Sequence, residues 1–407
     1  MGAATAARLD AFARHSDERA RWTIGYPCAR TDELIDWSRT DRTHRYVINN
    51  VGHPWDPDDR GFSPHARPFE REVLDRVAGW FGAPPGWQGL IGSGSSEAIG
   101  RGLKCSRLAL PDAITYYSTA AHMAVPAAID DLALPSVVVA THRDGTMDLD
   151  DLARKVDPTR PATVLATAGT TMTEAIDDVP GIHEVLDALD VRRYVHVDAA
   201  LSGLPIAVSR SRGYRSIRMG PRGARSINLS TAKFLGTPDP GGILLADGEL
   251  IEMLRRPVSY LHSRLATSSC SRSGHMVVQA WLALDTLDDA ALHQLAQRCR
   301  RTARWLHGRL RTGGVSARRR PDSLTVYFPA PSDHLVVRYG LAVGNGIAHV
   351  VCVPGIDEDV LNEFVADMSA SAARAHARMR VIDTGRPLGR NPSAVRPHET
   401  RQRYRVR

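Results

Sequence analysis

Ile227-Asn228-Leu229-Ser230-Thr231-Ala232-Lys233-Phe234-Leu235-Gly236 sets a lysine just past a short apolar run and just before a glycine-rich turn, Pro238-Asp239-Pro240-Gly241-Gly242. Such a strand-to-turn junction holds its side chains on packed backbone. An amine held there, with few acids beside it, is desolvated and loses part of its affinity for the proton. A neutral amine is what attack on an aldehyde to form a Schiff base requires. Most lysines are solvated surface charges, so the residues upstream decide whether this one differs.

Upstream the chain alternates short apolar runs with helical segments. Runs at 87–91, 113–117, 136–140, 163–167, 194–197, 227–229 and 242–246 are rich in Val and Ile, and residues 69–81 place Val73, Leu74, Val77 and Trp80 at helical spacing. Short, continuously apolar runs separated by helices predict mainly parallel strands buried on both faces. The fold class expected is α/β: a mainly parallel open sheet flanked by helices. Past the helical, arginine-rich 282–310, Gly313-Gly314 opens a different rhythm: strands at 324–328 and 349–353 and a helix at 358–373. That pattern predicts a small C-terminal α+β domain. The expected division is an N-terminal arm (1–60) starting with a helix at 6–22, a large cofactor-binding domain (61–285), a small C-terminal domain (286–385) and a basic, flexible tail (386–407). The arm is expected to dock on another surface, such as a second subunit.

The chain has 407 residues, 43% hydrophobic and 24% charged, the proportions of a soluble globular protein. No run approaches the ~18 apolar residues of a membrane span, and residues 1–8 lack a secretory signal's apolar segment. Cys28, Cys105, Cys270, Cys299 and Cys352 form no CxxC pair and no cluster with His, so reduced thiols in the cytoplasm are expected and no metal is implied. The net charge of +7 raises nucleic acid as a partner, but the arginines are spread through helices rather than interleaved with aromatics. A solvated basic surface accounts for them, and nucleic acid is not expected.

Four segments before Lys233 end predicted strands, the edge at which open α/β sheets bind ligands. Gly92-Ser93-Gly94-Ser95-Ser96-Glu97 opens a helix, where amides and hydroxyls make a phosphate site; a serine cap with no ligand is the plain alternative. His122, at the start of the helix after Tyr116-Tyr117-Ser118, is placed to stack on a planar cofactor or to serve as an ordinary polar residue. Ala168-Gly169-Thr170-Thr171 offers hydroxyls to a ligand, or a simple turn. Tyr194-Val195-His196-Val197-Asp198-Ala199-Ala200 ends an apolar strand in a carboxylate, which is costly to bury without a cation. A protonated pyridine nitrogen is such a cation, and Ala200 can pack flat on the ring. A phosphate cradle, a stacking ring, a carboxylate for a ring nitrogen and a lysine together form the kit for pyridoxal phosphate.

With these residues in place, the sequence resembles the fold-type I, group II pyridoxal-phosphate amino-acid decarboxylases, and among them the bacterial histidine decarboxylases. The likeness runs from about residue 25 to 287. It includes Val47-Ile48-Asn49-Asn50-Val51-Gly52, Tyr116-Tyr117-Ser118, Gly169-Thr170-Thr171-Met172, His196 to Gly203 and the Lys233 segment. The resemblance implies that Lys233 carries the cofactor, Asp198 pairs with its ring nitrogen and His122 stacks on the ring. It implies that Ser95 and Ser96 hold the phosphate, that Thr170 and Ala200 line the ring, and that Ser230 and Ser271 complete the cofactor contacts. It also implies a homodimer with shared active sites, in which Ser271-Arg272-Ser273-Gly274 reaches across. The reaction implied is decarboxylation of an L-amino acid to its amine and CO2, and Tyr260 is the proton donor chosen. Ala232 stands where His is usual, Ser95-Ser96-Glu97-Ala98-Ile99 where Gly-Thr-Glu-Gly-Asn is usual, and Cys270 and Ser273 where Gly and Asn are. These departures bear on histidine as substrate. Transamination, retro-aldol cleavage, oxidative deamination and a non-catalytic basic binding protein remain the alternatives.

Overall fold

The computed structural model describes residues 2–56 and 63–383; the basic tail expected at 386–407 lies outside them. Seven strands form the central sheet: β1 (Trp87–Gly92), β2 (Ile114–Ser118), β3 (Ser136–Val139), β4 (Ala162–Thr167), β5 (Arg193–Asp198), β6 (Ser226–Ser230) and β7 (Gly242–Asp247), in the order β1-β7-β6-β5-β4-β2-β3. Every strand falls on one of the apolar runs. All run parallel except β7, which is antiparallel to both β1 and β6. The reason is the connection. Only residues 231–241 separate β6 from β7, too short for the crossover a parallel neighbour needs. β4 and β6 are buried along their whole length; β4 therefore reads as a mainly apolar run, whereas β6 alternates Ser226, Asn228 and Ser230 with Ile227 and Leu229 although both its faces are covered.

Helices cover both faces. One core packs Val73, Val77, Ile182 and Val277 against Val164, Val197, Ile227 and Leu245 of the sheet. On the other face lie the Ser95–Ala109, Ala124–Asp131 and Gly248–Leu254 helices, over Leu90, Leu165 and Leu244. The period of two places Tyr194, His196 and Asp198 of β5 on this second face, with Ser226, Asn228 and Ser230 of β6.

A four-stranded antiparallel sheet (Arg318–Arg319, Thr325–Pro329, Ile347–Val351, Ala342–Gly344) forms the C-terminal lobe, with its own core of Val326, Phe328, Val350 and Phe364. The Asp289–Thr312 helix serves both cores, Leu292 to Cys299 in the main one and Ala303 to Leu310 in the second. The arm contributes to the second core. Ile24 enters the C-terminal lobe of its own chain: its N–H donates to the Tyr339 carbonyl at 3.1 Å, and its carbonyl accepts from the Val351 N–H at 3.0 Å. The preceding Ala3–Trp22 helix stays exposed, with Leu9 and Phe12 facing solvent.

Candidate active site

Sheet register assembles the site. Ser230 pairs with Gly242, Gly242 with Gly92, Asp198 with Asn228, and Thr167 with Asp198. These pairs line up the ends of β1, β4, β5 and β6 along one edge, so segments far apart in sequence become neighbours. Lys233 lies in the single helical turn Thr231–Phe234 that follows β6. Burial pulls its amine below the ordinary lysine value, against the opposing pull of the Asp198 carboxylate. Among the described residues that amine makes no hydrogen bond or ion pair.

Asp198 is 4% exposed at the end of β5. Its Oδ1 accepts the Asn228 Nδ2–H at 2.8 Å and the Ala200 N–H at 3.2 Å. Oδ2 accepts no hydrogen bond from the described residues and is left for a ligand. His122 lies just before the helix rather than in it, since the helix begins at Ala124. The Ala124 N–H donates to His122 Nδ1 at 3.2 Å, which leaves the proton of a neutral ring on Nε2. Burial lowers the His122 pKa, with Lys233 acting in the same direction and Asp198 against it. The three side chains therefore share one electrostatic neighbourhood.

The residue that caps the helix at the expected phosphate cradle is a glycine, not the serine of the plain alternative. Gly94, at φ +86°, is the N-cap of the Ser95–Ala109 helix, and no side chain caps it. Gly242 packs directly on this turn, where a Cβ would stand 2.6 Å from the Ser95 nitrogen. The first amides of the helix point free, and Ser95 and Ser96 sit in its first turn, the arrangement that binds an anion. Glu97 ties this turn to the segment that leads into the Gly274–Thr286 helix: its Oε2 accepts the Ser93 N–H at 2.7 Å and its Oε1 the Ser268 N–H at 2.6 Å. Beside it opens a cavity of ≈ 1000 Å³ whose walls include Ser96, Glu97, Arg101, His122, Thr267 and Cys270.

The remaining expected residues are placed differently from one another. Ser230 is buried at the start of the lysine turn and Ala200 is half-buried just past Asp198. Thr170 is turned into its own loop, where its hydroxyl accepts the Ala175 N–H at 2.9 Å and pairs with Thr173 at 3.1 Å. Tyr260 is 77% exposed. Ser271 is exposed and accepts from Asn49 Nδ2 at 3.1 Å. Its neighbour Arg272, expected to reach across to a partner, is instead buried in its own chain. Arg272 pairs with Glu70 (Nη2 to Oε2, 2.8 Å) and donates to the Ile91 carbonyl at 2.6 Å, while Glu70 Oε1 accepts the Ile91 N–H at 2.8 Å. This ion pair holds the end of β1 just behind the phosphate turn. Sequence reading passed over Glu70, Glu97, His196 and Asn228; the last two carried a signal, as polar residues inside apolar strands.

An open sheet that brings a desolvated lysine, a buried carboxylate and a free helix N-terminus to one edge defines the fold-type I pyridoxal-phosphate enzymes. A family profile described as the pyridoxal-dependent decarboxylase conserved domain matches residues 101–314. The histidine decarboxylase of Acinetobacter baumannii (strain ACICU) is 32% identical over 352 residues, spanning 84% of this chain and 89% of that protein. Serine decarboxylase 1 of Oryza sativa subsp. japonica is also 32% identical, over 91% of this chain and 77% of its own length. Among solved structures, L-methionine decarboxylase from Streptomyces sp. 590 shares the fold at a TM-score of 0.80, with 19% identity over 91% of this chain and 95% of that one. The chain belongs to the pyridoxal-dependent decarboxylase family, group II, and is an amino-acid decarboxylase that uses pyridoxal phosphate. Among the described residues no helix is long and apolar enough to cross a membrane.

Proposed function

We propose that the chain decarboxylates an L-amino acid with a short polar side chain, of the histidine and serine class, to its amine and CO2. The observation that carries this reading is the meeting of Lys233, Asp198 and His122 at one sheet edge. Relatives acting on histidine and on serine, each 32% identical, support the side-chain class.

The donor set fits pyridoxal phosphate: an unpartnered lysine amine, a buried carboxylate with one free oxygen, and a helix N-terminus flanked by hydroxyls. When bound, the cofactor supplies an electron sink at its protonated ring nitrogen. Lys233 is the attachment point. Asp198 Oδ2 would accept a hydrogen bond from the ring N–H and so favour the protonated ring. His122, Ala200, Thr170 and Ser230 would hold the ring. The amides of residues 95–97 with the Ser95 and Ser96 hydroxyls hold the phosphate, and Ser271 completes the contacts. Tyr260 is the proton donor to Cα; as an exposed side chain in its own subunit, it serves the site across a homodimer. The three-part organisation of arm, large and small domain, and a cytoplasmic location, belong to the same reading.

Purified protein incubated with pyridoxal phosphate and a panel of L-amino acids tests it. Amine and CO2 released from histidine or serine are expected. Keto acid or aldehyde without CO2 would exclude decarboxylation and return the alternative reactions.

A further inference from the structure

Three fully buried polar side chains on the site's face of the sheet have no part in the reading above: Ser226, Asn228 and His196. Polar groups on a buried sheet face are costly unless bonded, and these bond to one another in a chain with a single direction. An ionised carboxylate only accepts, so the nitrogen of the Asn228 amide faces Asp198 Oδ1, at 2.8 Å. The second hydrogen of that nitrogen goes to Ser95 Oγ at 2.6 Å. Asn228 Oδ1 must then accept, which puts the imidazole proton on His196 Nε2, 2.8 Å away. His196 Nδ1 is left to accept the Ser226 hydroxyl at 2.7 Å. Gly102, in the helix above, has no Cβ to collide with the imidazole, so the ring fits between helix and sheet.

One amide thus touches both ends of the proposed cofactor site: the carboxylate for the ring nitrogen and a serine of the phosphate cradle. We propose that Asn228 is a positioning residue that locks Asp198 and Ser95 in register with each other, and that His196, as its neutral Nε2–H tautomer, fixes the orientation of the Asn228 amide. Two N–H groups on Oδ1, from Asn228 and Ala200, hold the carboxylate so that only Oδ2 is open. Without Asn228 the carboxylate is free to rotate, and the cradle loses its tie to the ring end. This inference rests on the cofactor reading of the site.

The test uses cofactor affinity and the pH titration of the bound cofactor's absorption, on Asn228→Leu, His196→Leu, His196→Gln and Ser95→Ala. A hydrogen bond to a charged group commonly carries a factor of about ten or more. Asn228→Leu is therefore expected to bind pyridoxal phosphate about tenfold more weakly or worse, with its absorption midpoint displaced by about one pH unit. His196→Gln keeps a donor toward Asn228 and is expected to restore most of what His196→Leu loses. Ser95→Ala cuts only the phosphate arm, so affinity falls while the midpoint stays. A folded Asn228→Leu with wild-type affinity and midpoint overturns the proposal. So does a His196→Gln as damaged as His196→Leu, which makes the effect one of packing. If Asn228→Leu fails to fold, the His196 pair and Ser95→Ala decide. A wild-type spectrum unchanged by Lys233→Ala would instead remove the cofactor reading itself, whereas a spectrum that needs Lys233 but ignores Asn228 and His196 removes only the positioning role.

Discussion

Glu174 and Thr325 lie 151 residues apart in sequence, yet Glu174 Oε2 accepts the Thr325 N–H at 2.7 Å. The same oxygen accepts the Leu324 N–H at 2.8 Å and the Ser323 hydroxyl at 2.7 Å, while Oε1 accepts the Ser202 hydroxyl at 2.9 Å. One buried carboxylate therefore joins the loop after β4, the segment after Asp198 and the C-terminal lobe. Glu174 does so at φ +52°, a left-handed conformation that costs a non-glycine residue on the order of 1 kcal/mol and persists only where the surroundings impose it. Replacing it by Ala leaves the Leu324 N–H and the Ser202 hydroxyl without an acceptor, while the Thr325 N–H and the Ser323 hydroxyl keep Ser323 Oγ and the Thr325 carbonyl, so Glu174→Ala is expected to lose about 2 kcal/mol or more, several degrees in Tm. Calorimetry showing an unchanged melt would exclude the latch.

Lys233 is expected to form the covalent adduct. Treating the protein with pyridoxal phosphate and borohydride, then mapping peptides by mass, should label the peptide containing Lys233 and nothing in Lys233→Ala. Burial lowers its pKa and Asp198 raises it. Removing the carboxylate in Asp198→Asn therefore lowers the pKa further, and the pH midpoint for labelling should move down. A midpoint at the free-lysine value of ~10.4, or one that moves up, would contradict the assignment.

His53 ties stability to acid. It is fully buried, and burial, with the Arg255, Arg272 and Arg71 cations, pushes its pKa down to about 2. The folded chain then holds His53 neutral while the unfolded chain protonates it near the ordinary 6.5. The stability it contributes is complete above ~6.5 and is lost as pH falls toward the folded value, at ~1.4 kcal/mol per unit. Urea midpoints at pH 7.5, 6.0 and 5.0 should decline, and His53→Gln should flatten that decline. An equal slope in the variant would rule His53 out.

Gly242→Ala is expected to push the Gly94–Ser95 peptide out of line, since the new Cβ meets the Ser95 nitrogen at 2.6 Å and backbone cannot yield as a flexible side chain does. Cofactor affinity should fall by about tenfold or more, read by absorption titration, and the apo melt should fall with it, because the displaced atoms are buried backbone. Wild-type affinity would show that the turn is not the phosphate cradle.

Tyr260→Phe separates chemistry from folding. The side chain is 77% exposed, so the apo melt should be unchanged. General acid catalysis is worth about 10²–10⁴ in rate, so kcat should drop by at least about a hundredfold with cofactor affinity intact. A variant with full kcat would pass the proton-donor role to another group.

Much of the site was legible because it sits at strand ends. Asp198 closes the apolar run 194–197 and Lys233 follows 227–229, so each could be placed from its own neighbours in sequence. Arg272 shows the limit. Its polar, serine-rich segment reads by resemblance as reaching across to a partner, and only the pairing with Glu70, 202 residues earlier, makes Arg272 a buried anchor in its own chain. Thr170 shows another, since the Ala175 N–H that its hydroxyl accepts belongs to a tight turn that no periodicity announces.

The chain's order of apolar runs alone determined the α/β class, the strands and the lysine at the working edge, because burial on two faces leaves a continuous apolar signature that needs no knowledge of partners. Tertiary structure alone decided what holds that edge: Asn228 meets Ser95 across 133 residues and Glu97 meets Ser268 across 171. Such bonds depend on sheet register and on which helix lies overhead, and a hydrogen bond reaches only ~3 Å. Periodicity says which face a side chain takes; packing settles what stands there to meet it.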